Sequence, residues 1–131
     1  MITEVSGLRM MFQEYLETFH QQTDCVQFVI LASEDGFPVA YTGIEPDKSK
    51  RASAMASALY GLAGTIVKEF DLQALDGAIL ECELGLVLCR SVQLKSKNFV
   101  VLAVVDHTVV IGHALWSIKN LAKKMSDAIR I

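Results

Sequence analysis

Apolar side chains at Val5, Leu8, Met11, Phe12, Tyr15, Leu16 and Phe19 recur at spacings of three and four, with Gln13, Glu14 and Glu17 between them. That repeat predicts an amphipathic helix, with Thr3 placed to cap its start. Residues 26–32 are β-branched and aromatic, Ser33-Glu34-Asp35-Gly36 supplies turn chemistry, and 37–42 alternates, which predicts a β-hairpin. Residues 43–47, with Pro46, break the strand. Ala52, Met55, Ala56, Leu59, Leu62, Ala63, Ile66 and Phe70 then share one stripe, so a long central helix is expected over about 48–70. Three more strands are expected at 77–83, 86–92 and 98–105, with turns at Leu84-Gly85 and Lys95-Ser96-Lys97 too short for anything but antiparallel neighbours. From about 108 to 129, Leu115, Ile118, Ala122, Met125 and Ile129 fall on one helical face, while Lys119, Lys123 and Lys124 suit the negative end of a final helix. The order is α-β-β-α-β-β-β-α without repeats or linkers, an α+β chain folded as an α/β sandwich on an antiparallel sheet.

The 131 residues fit one domain spanning 1–131. An apolar share of 52% and a mean hydropathy of +0.36 exceed what a core of this size absorbs, so part of the surplus is expected between subunits. Twelve basic against 15 acidic residues remove the bulk attraction that nucleic acid or an anionic membrane requires. Cys25, Cys82 and Cys89 are odd in number and form no Cys-x-x-Cys, which fits a reducing cytoplasm better than a disulfide framework or zinc ribbon. Residues 1–7 lack a signal-peptide pattern, and the longest clean apolar run, 99–105, is far below the roughly 18 residues of a membrane span.

The segment Leu31-Ala32-Ser33-Glu34-Asp35-Gly36-Phe37-Pro38-Val39-Ala40, followed by the Ala-rich helix over 51–67, resembles the roadblock / dynein light chain superfamily, in particular its bacterial branch related to the gliding-motility regulator of a Ras-like GTPase. The resemblance spans essentially the whole chain. It implies a five-stranded sheet in the order 2-1-5-4-3, a homodimer joined through the central helix and the third strand, and control or scaffolding of small GTPases.

The residues give independent reasons for a dimer. Ser53, Ser57, Gly61 and Gly64 make a low second face on the central helix. Each helical glycine costs about 0.5–1 kcal/mol relative to alanine, a cost that close packing would offset. Pro38 weakens the second strand as a pairing edge, whereas 77–83 has no proline, so Ile79, Leu80 and Glu81 are expected at a strand-to-strand contact. Because Glu81 and Glu83 would repel like charges placed opposite them, the two-fold axis is expected nearer Ile79 and Leu80 than Cys82. By the resemblance, Lys50, Arg51, Ala54, Ser57, Ala58 and Gly61 are the candidate GTPase contacts. Arg51, beside Lys48 and Lys50, is the arginine to test if one acts on the nucleotide.

Catalytic chemistry is hard to find. Gly61-Leu62-Ala63-Gly64-Thr65 lacks the lysine and preceding strand of a phosphate cradle. The same Gly-x-x-Gly sits inside a helix pattern without the basic surroundings of a KH-domain clamp. The three cysteines are expected as buried strand residues, and His20, His107 and His113 as surface or capping residues without metal-pair spacing. Asp106-His107-Thr108 is expected to start the last helix, and Trp116 to anchor packing. Glu81 and Glu83 share a strand face with no sugar cleft beside them. No catalytic, cofactor or metal residue is therefore nominated. The function expected is a cytoplasmic, non-enzymatic homodimer that binds a small Ras-like GTPase and modulates its turnover or active state. The alternatives are a scaffold subunit without effect on turnover and, third, a small-molecule sensor.

Overall fold

The computed structural model describes residues 2–94, 97–108 and 110–128, with side chains from Gly7 onward. The side chains of Thr3 and Val5, the turn residues Lys95 and Ser96, and Ile129 lie outside the described residues. The elements are α1 (Ile2–Gln22), β1 (Val26–Ser33), β2 (Pro38–Thr42), α2 (Pro46–Glu69), β3 (Gly77–Cys82), β4 (Gly85–Leu94), β5 (Lys97–Asp106) and α3 (Ile111–Asp127). The five strands form one antiparallel sheet in the order β2-β1-β5-β4-β3, as the resemblance implies.

Helices cover both faces of the sheet, so the middles of β1 and β5, residues 29–32 and 100–103, are buried at every successive position rather than alternately wet. On β1, Val29 and Leu31 face one way into a core closed by Phe12, Leu16 and Phe19 of α1 and Ala114, Ile118, Leu121 and Met125 of α3. Ile30 and Ala32 face the other way, with Cys89, Val100 and Leu102, into a thinner core closed by Ala56 of α2. The register between β1 and β2 shifts at Leu31/Ala32, where Pro38 lies opposite Ala32; a bulge accommodates the donor that proline lacks.

Three local details differ from the sequence expectation. Cys82 pairs with Gly85, so the β3–β4 turn is Glu83-Leu84, one residue earlier than expected. Thr3 lies inside α1 rather than before it. Asp106-His107-Thr108 does not cap the last helix: the Asp106 carboxylate accepts bonds from the Thr108 amide, at 2.9 Å, and from its hydroxyl, which commits the capping group to its own loop and delays α3 to Ile111. The same two bonds hold the Asp106 carboxyl below its ordinary range.

Candidate interaction surface

The orientation of α2 defines the surface. Ser49, Ser53 and Ala56, spaced four and three apart, are buried on its inner face, and Ala52 and Tyr60 pack partly beside them. The Tyr60 hydroxyl donates to the Leu75 carbonyl at 2.7 Å. Small side chains let the helix axis come close to the sheet. The larger apolar residues therefore point outward: Met55 is 64% exposed, Leu62 64%, Ile66 52% and Phe70 68%. This reverses part of the sequence expectation. Ser53, expected on a partner-facing ridge, has no exposed surface, so a second chain cannot reach it as the protomer is folded. Ser57 is half-buried and donates its hydroxyl to the Glu34 carbonyl at 2.6 Å, fastening the hairpin tip to the helix. Gly61 and Gly64 have nothing within 4 Å of where a Cβ would stand. The protomer itself supplies no steric need for either glycine.

The hairpin is shaped for that fastening. Gly36 has φ +91°, and a Cβ added there would stand 3.3 Å from the Ala54 Cα, so turn and helix meet backbone to backbone. The Ser33 hydroxyl accepts from the Phe37 amide at 3.0 Å and closes the turn.

Among the described residues the two edges of the sheet differ. On β2, the Gln13 side chain of α1 meets both outward backbone groups of Tyr41, accepting from its amide at 3.1 Å and donating to its carbonyl at 2.7 Å. Gln13 was legible only as a polar spacer on the first helix. At the other end of the sheet β3 has no strand beyond it, and Ile79 and Leu80 are each 43% exposed there, beside exposed Glu81. Leu72, after the end of α2, and Leu84, in the β3–β4 turn, are also exposed, neither anticipated.

At the start of α2, Lys48, Lys50 and Arg51 are exposed, as are Ala54 and Ala58 one and two turns further on. Of the GTPase-contact candidates, Lys50, Arg51, Ala54, Ala58 and Gly61 thus lie on the open side of the helix, and Ser57 is engaged with the hairpin.

Elsewhere the chemistry is sparse. Cys89 is buried and its thiol is pushed up to about 12 by that burial; Cys25, half-buried, is raised for the same reason. Cys82 does not follow the expected pattern of buried cysteines: it is exposed at the end of β3. His20 lies 3.3 Å from the Thr42 hydroxyl, while His107 and His113 are exposed. Trp116 is not a packing anchor, since it is 63% exposed and stacks on the His113 ring with centroids 6.3 Å apart. It borders an open groove of about 430 Å³ between α1 and α3. Among the described residues no group of three His, Cys, Asp or Glu could hold a metal ion, and no helix is long and apolar enough to cross a membrane.

The Roadblock/LC7 domain model matches residues 12–106, from the middle of α1 to the end of β5. The chain belongs to the Roadblock/LC7 family. Solved roadblock-fold structures superpose on it closely at low identity. A Roadblock/LC7 domain from Streptomyces avermitilis gives a TM-score of 0.81 at 18% identity, covering 91% of this chain and 98% of that one. MglB of Myxococcus xanthus gives 0.78 at 11% identity, covering 89% and 93%. The gliding protein MglB from Thermus thermophilus gives 0.75 at 13% identity, covering 88% and 86%. No relative is found among the curated proteins. These likenesses establish the roadblock fold.

Proposed function

We propose that this roadblock domain, taken as one unit over 1–131, works in the cytoplasm as a homodimer that binds a small Ras-like GTPase and modulates its hydrolysis or active state. One observation carries the reading: large apolar side chains stand exposed along one face of α2 at Met55, Leu62 and Ile66, at Phe70 just beyond its end, and at Ile79 and Leu80 on the free edge. Singly exposed apolar residues are ordinary on a protein surface; several of them along one face mark an interface. Pairing through this face buries them and sets two copies of the basic α2 start, with Lys50 and Arg51, on one assembly. The MglB neighbours, one of them named for gliding, support a GTPase as its partner.

The chain acts on hydrolysis by binding. A partner that fits the GTPase's nucleotide-bound switch segments better than their relaxed form shifts them toward the geometry that positions water and spreads developing charge. Lys50, Arg51, Ala54, Ala58 and Gly61 form the contact, and Ser57 supports it by holding the hairpin against α2. The test is capture of the cognate GTPase loaded with a GTP analogue or with GDP. Preferential capture of the GTP-analogue form, abolished by Ala58→Glu, is expected; full retention by that variant contradicts the mapping.

A scaffold role is the second reading, favoured by one observation: the exposed Trp116 groove lies on the opposite face of the sheet from α2, so a second partner could be held there at the same time. GTP turnover measured with and without the chain separates the two roles.

A further inference from the structure

The free strand restricts how two copies can meet. The two-residue turn at Glu83-Leu84 makes Cys82 and Gly85 the hydrogen-bonded pair that closes the β3–β4 hairpin. By alternation Cys82, Leu80 and Ala78 aim their amides and carbonyls at β4, whereas Gly77, Ile79 and Glu81 aim theirs outward. The Ser91 amide donating to the Asp76 carbonyl at 3.4 Å continues the inward set. In an antiparallel pair, opposed residues are of the same kind, so a two-fold axis must pass through a residue facing its own copy and cannot fall between Ile79 and Leu80.

The candidates are then few. An axis at Glu81 opposes two carboxylates, and one at Leu80 sets each Glu81 against an isoleucine. An axis at Ala78 leaves Glu81 beyond the paired stretch. An axis at Ile79 sets Ile79 opposite its own copy, and on either side of it Glu81 opposite Gly77 and Leu80 opposite Ala78, large against small. Gly77 is also where a cation waits. Arg90 is its cross-strand neighbour on β4, and the Arg90 Cγ and Nη1 lie 3.2 and 3.4 Å from where a Cβ on Gly77 would stand. The guanidinium thus lies across the bare glycine toward the open edge. Gly77 can carry no side chain of its own, since a Cβ would come 2.5 Å from the Cys89 carbonyl oxygen. Asp76, Lys119, Lys123 and Asp127 line a surface groove together with Arg90.

We infer that two copies pair their β3 strands about an axis through Ile79, with Glu81 of each chain bound to Arg90 of the other as the register lock. The inference rests on the homodimer proposed above and goes beyond it by fixing the register and turning the awkward carboxylates into the specificity element. Glu81, Gly77 and Arg90 all project on the α3 side of the sheet, because directly opposed residues share a face. Slipping the strands by two residues removes the glutamate from the arginine and sets it against Ile79 or beyond the paired stretch.

The test is a charge exchange read by sedimentation velocity. Glu81→Arg and Arg90→Glu chains alone are each expected to dimerise about 100-fold more weakly than wild type, since each homodimer carries two like-charge contacts. Mixed one to one, they are expected to form a heterodimer with near wild-type affinity, because both contacts become complementary again. A wild-type dimer whose two variants do not recover on mixing overturns the register; a wild-type monomer overturns the homodimer itself. Should Arg90→Glu fail to fold, cysteine cross-linking in a Cys82→Ser background decides. Ile79→Cys is expected to oxidise to a disulfide dimer across a Cα separation of about 5.5 Å, and Leu80→Cys is not. Cross-linking through position 80 in place of 79 contradicts the inference.

Discussion

Replacing Ser53 by alanine tests the orientation of the central helix. Ser53 has no exposed surface and its hydroxyl has no hydrogen-bond partner. A buried hydroxyl left unpaired costs about 1–3 kcal/mol, and alanine is the better helix former by a few tenths of a kcal/mol. Against this stand only the dispersion contacts of one oxygen atom, so Ser53→Ala is expected to stabilise the fold by about 1–2 kcal/mol, raising Tm by about 4–8 °C. Ser49 is the control: it is just as buried, but its hydroxyl donates to the Pro46 carbonyl at 2.6 Å. Ser49→Ala should therefore destabilise by about 1 kcal/mol. The assay is urea unfolding at matched protein concentration, because dimerisation raises apparent stability by mass action. The midpoints should move in opposite directions at unchanged slope. A lowered midpoint for Ser53→Ala would mean that its hydroxyl is engaged and that the inner face of α2 is not the one described.

Leu62 would bury the remaining 64% of its side chain on pairing, worth about 1–2 kcal/mol per copy and twice that across a two-fold axis, so Leu62→Glu should weaken dimerisation by about 30- to 700-fold while leaving the circular dichroism of the protomer intact. Alkylation at pH 8 followed by mass spectrometry should label exposed Cys82 and spare Cys89, whose burial holds its thiol near 12. That raised value makes the neutral thiol the form the folded state prefers; its contribution to stability is complete below the ordinary value of 9.0 and is lost as pH climbs from there through about 12, with Cys25 adding in the same direction. Urea midpoints that stay level between pH 8 and 11 would contradict it. Gly43→Ala should destabilise by about 2 kcal/mol or more in thermal melts, since φ is +82° and the new Cβ would stand 2.5 Å from the Gln27 carbonyl oxygen and 2.6 Å from the His20 ring.

The strands were legible because β-branched runs broken by Gly36, Pro46 and Gly85 are local signals, and the α1 and α3 faces because their apolar residues stand against an otherwise polar helix. The central helix was harder. Both of its faces are weakly polar, and the choice between them depends on how closely the helix approaches the sheet. Small Ser49, Ser53 and Ala56 permit an approach that Met55 and Leu62 would forbid, a tertiary fact with no period of its own. The hydrophobic pattern therefore located α2 but turned it the wrong way, and Ser53 was assigned to a surface it does not reach. The free edge was read correctly from Pro38, yet the side chain that covers the opposite edge, Gln13, sits 28 positions from its partner Tyr41. The exposure of Trp116 was legible but missed: the repeat that sets Ile118, Ala122 and Met125 on the buried face of α3 sets Trp116 on the opposite face, beside Asn120 and Lys123.

The paired state is the account's central claim, and sedimentation equilibrium of the unaltered chain at micromolar concentration tests it most directly. The account predicts a species of twice the 14.4 kDa chain mass. A single-chain mass across that concentration range, with the fold intact, would contradict it.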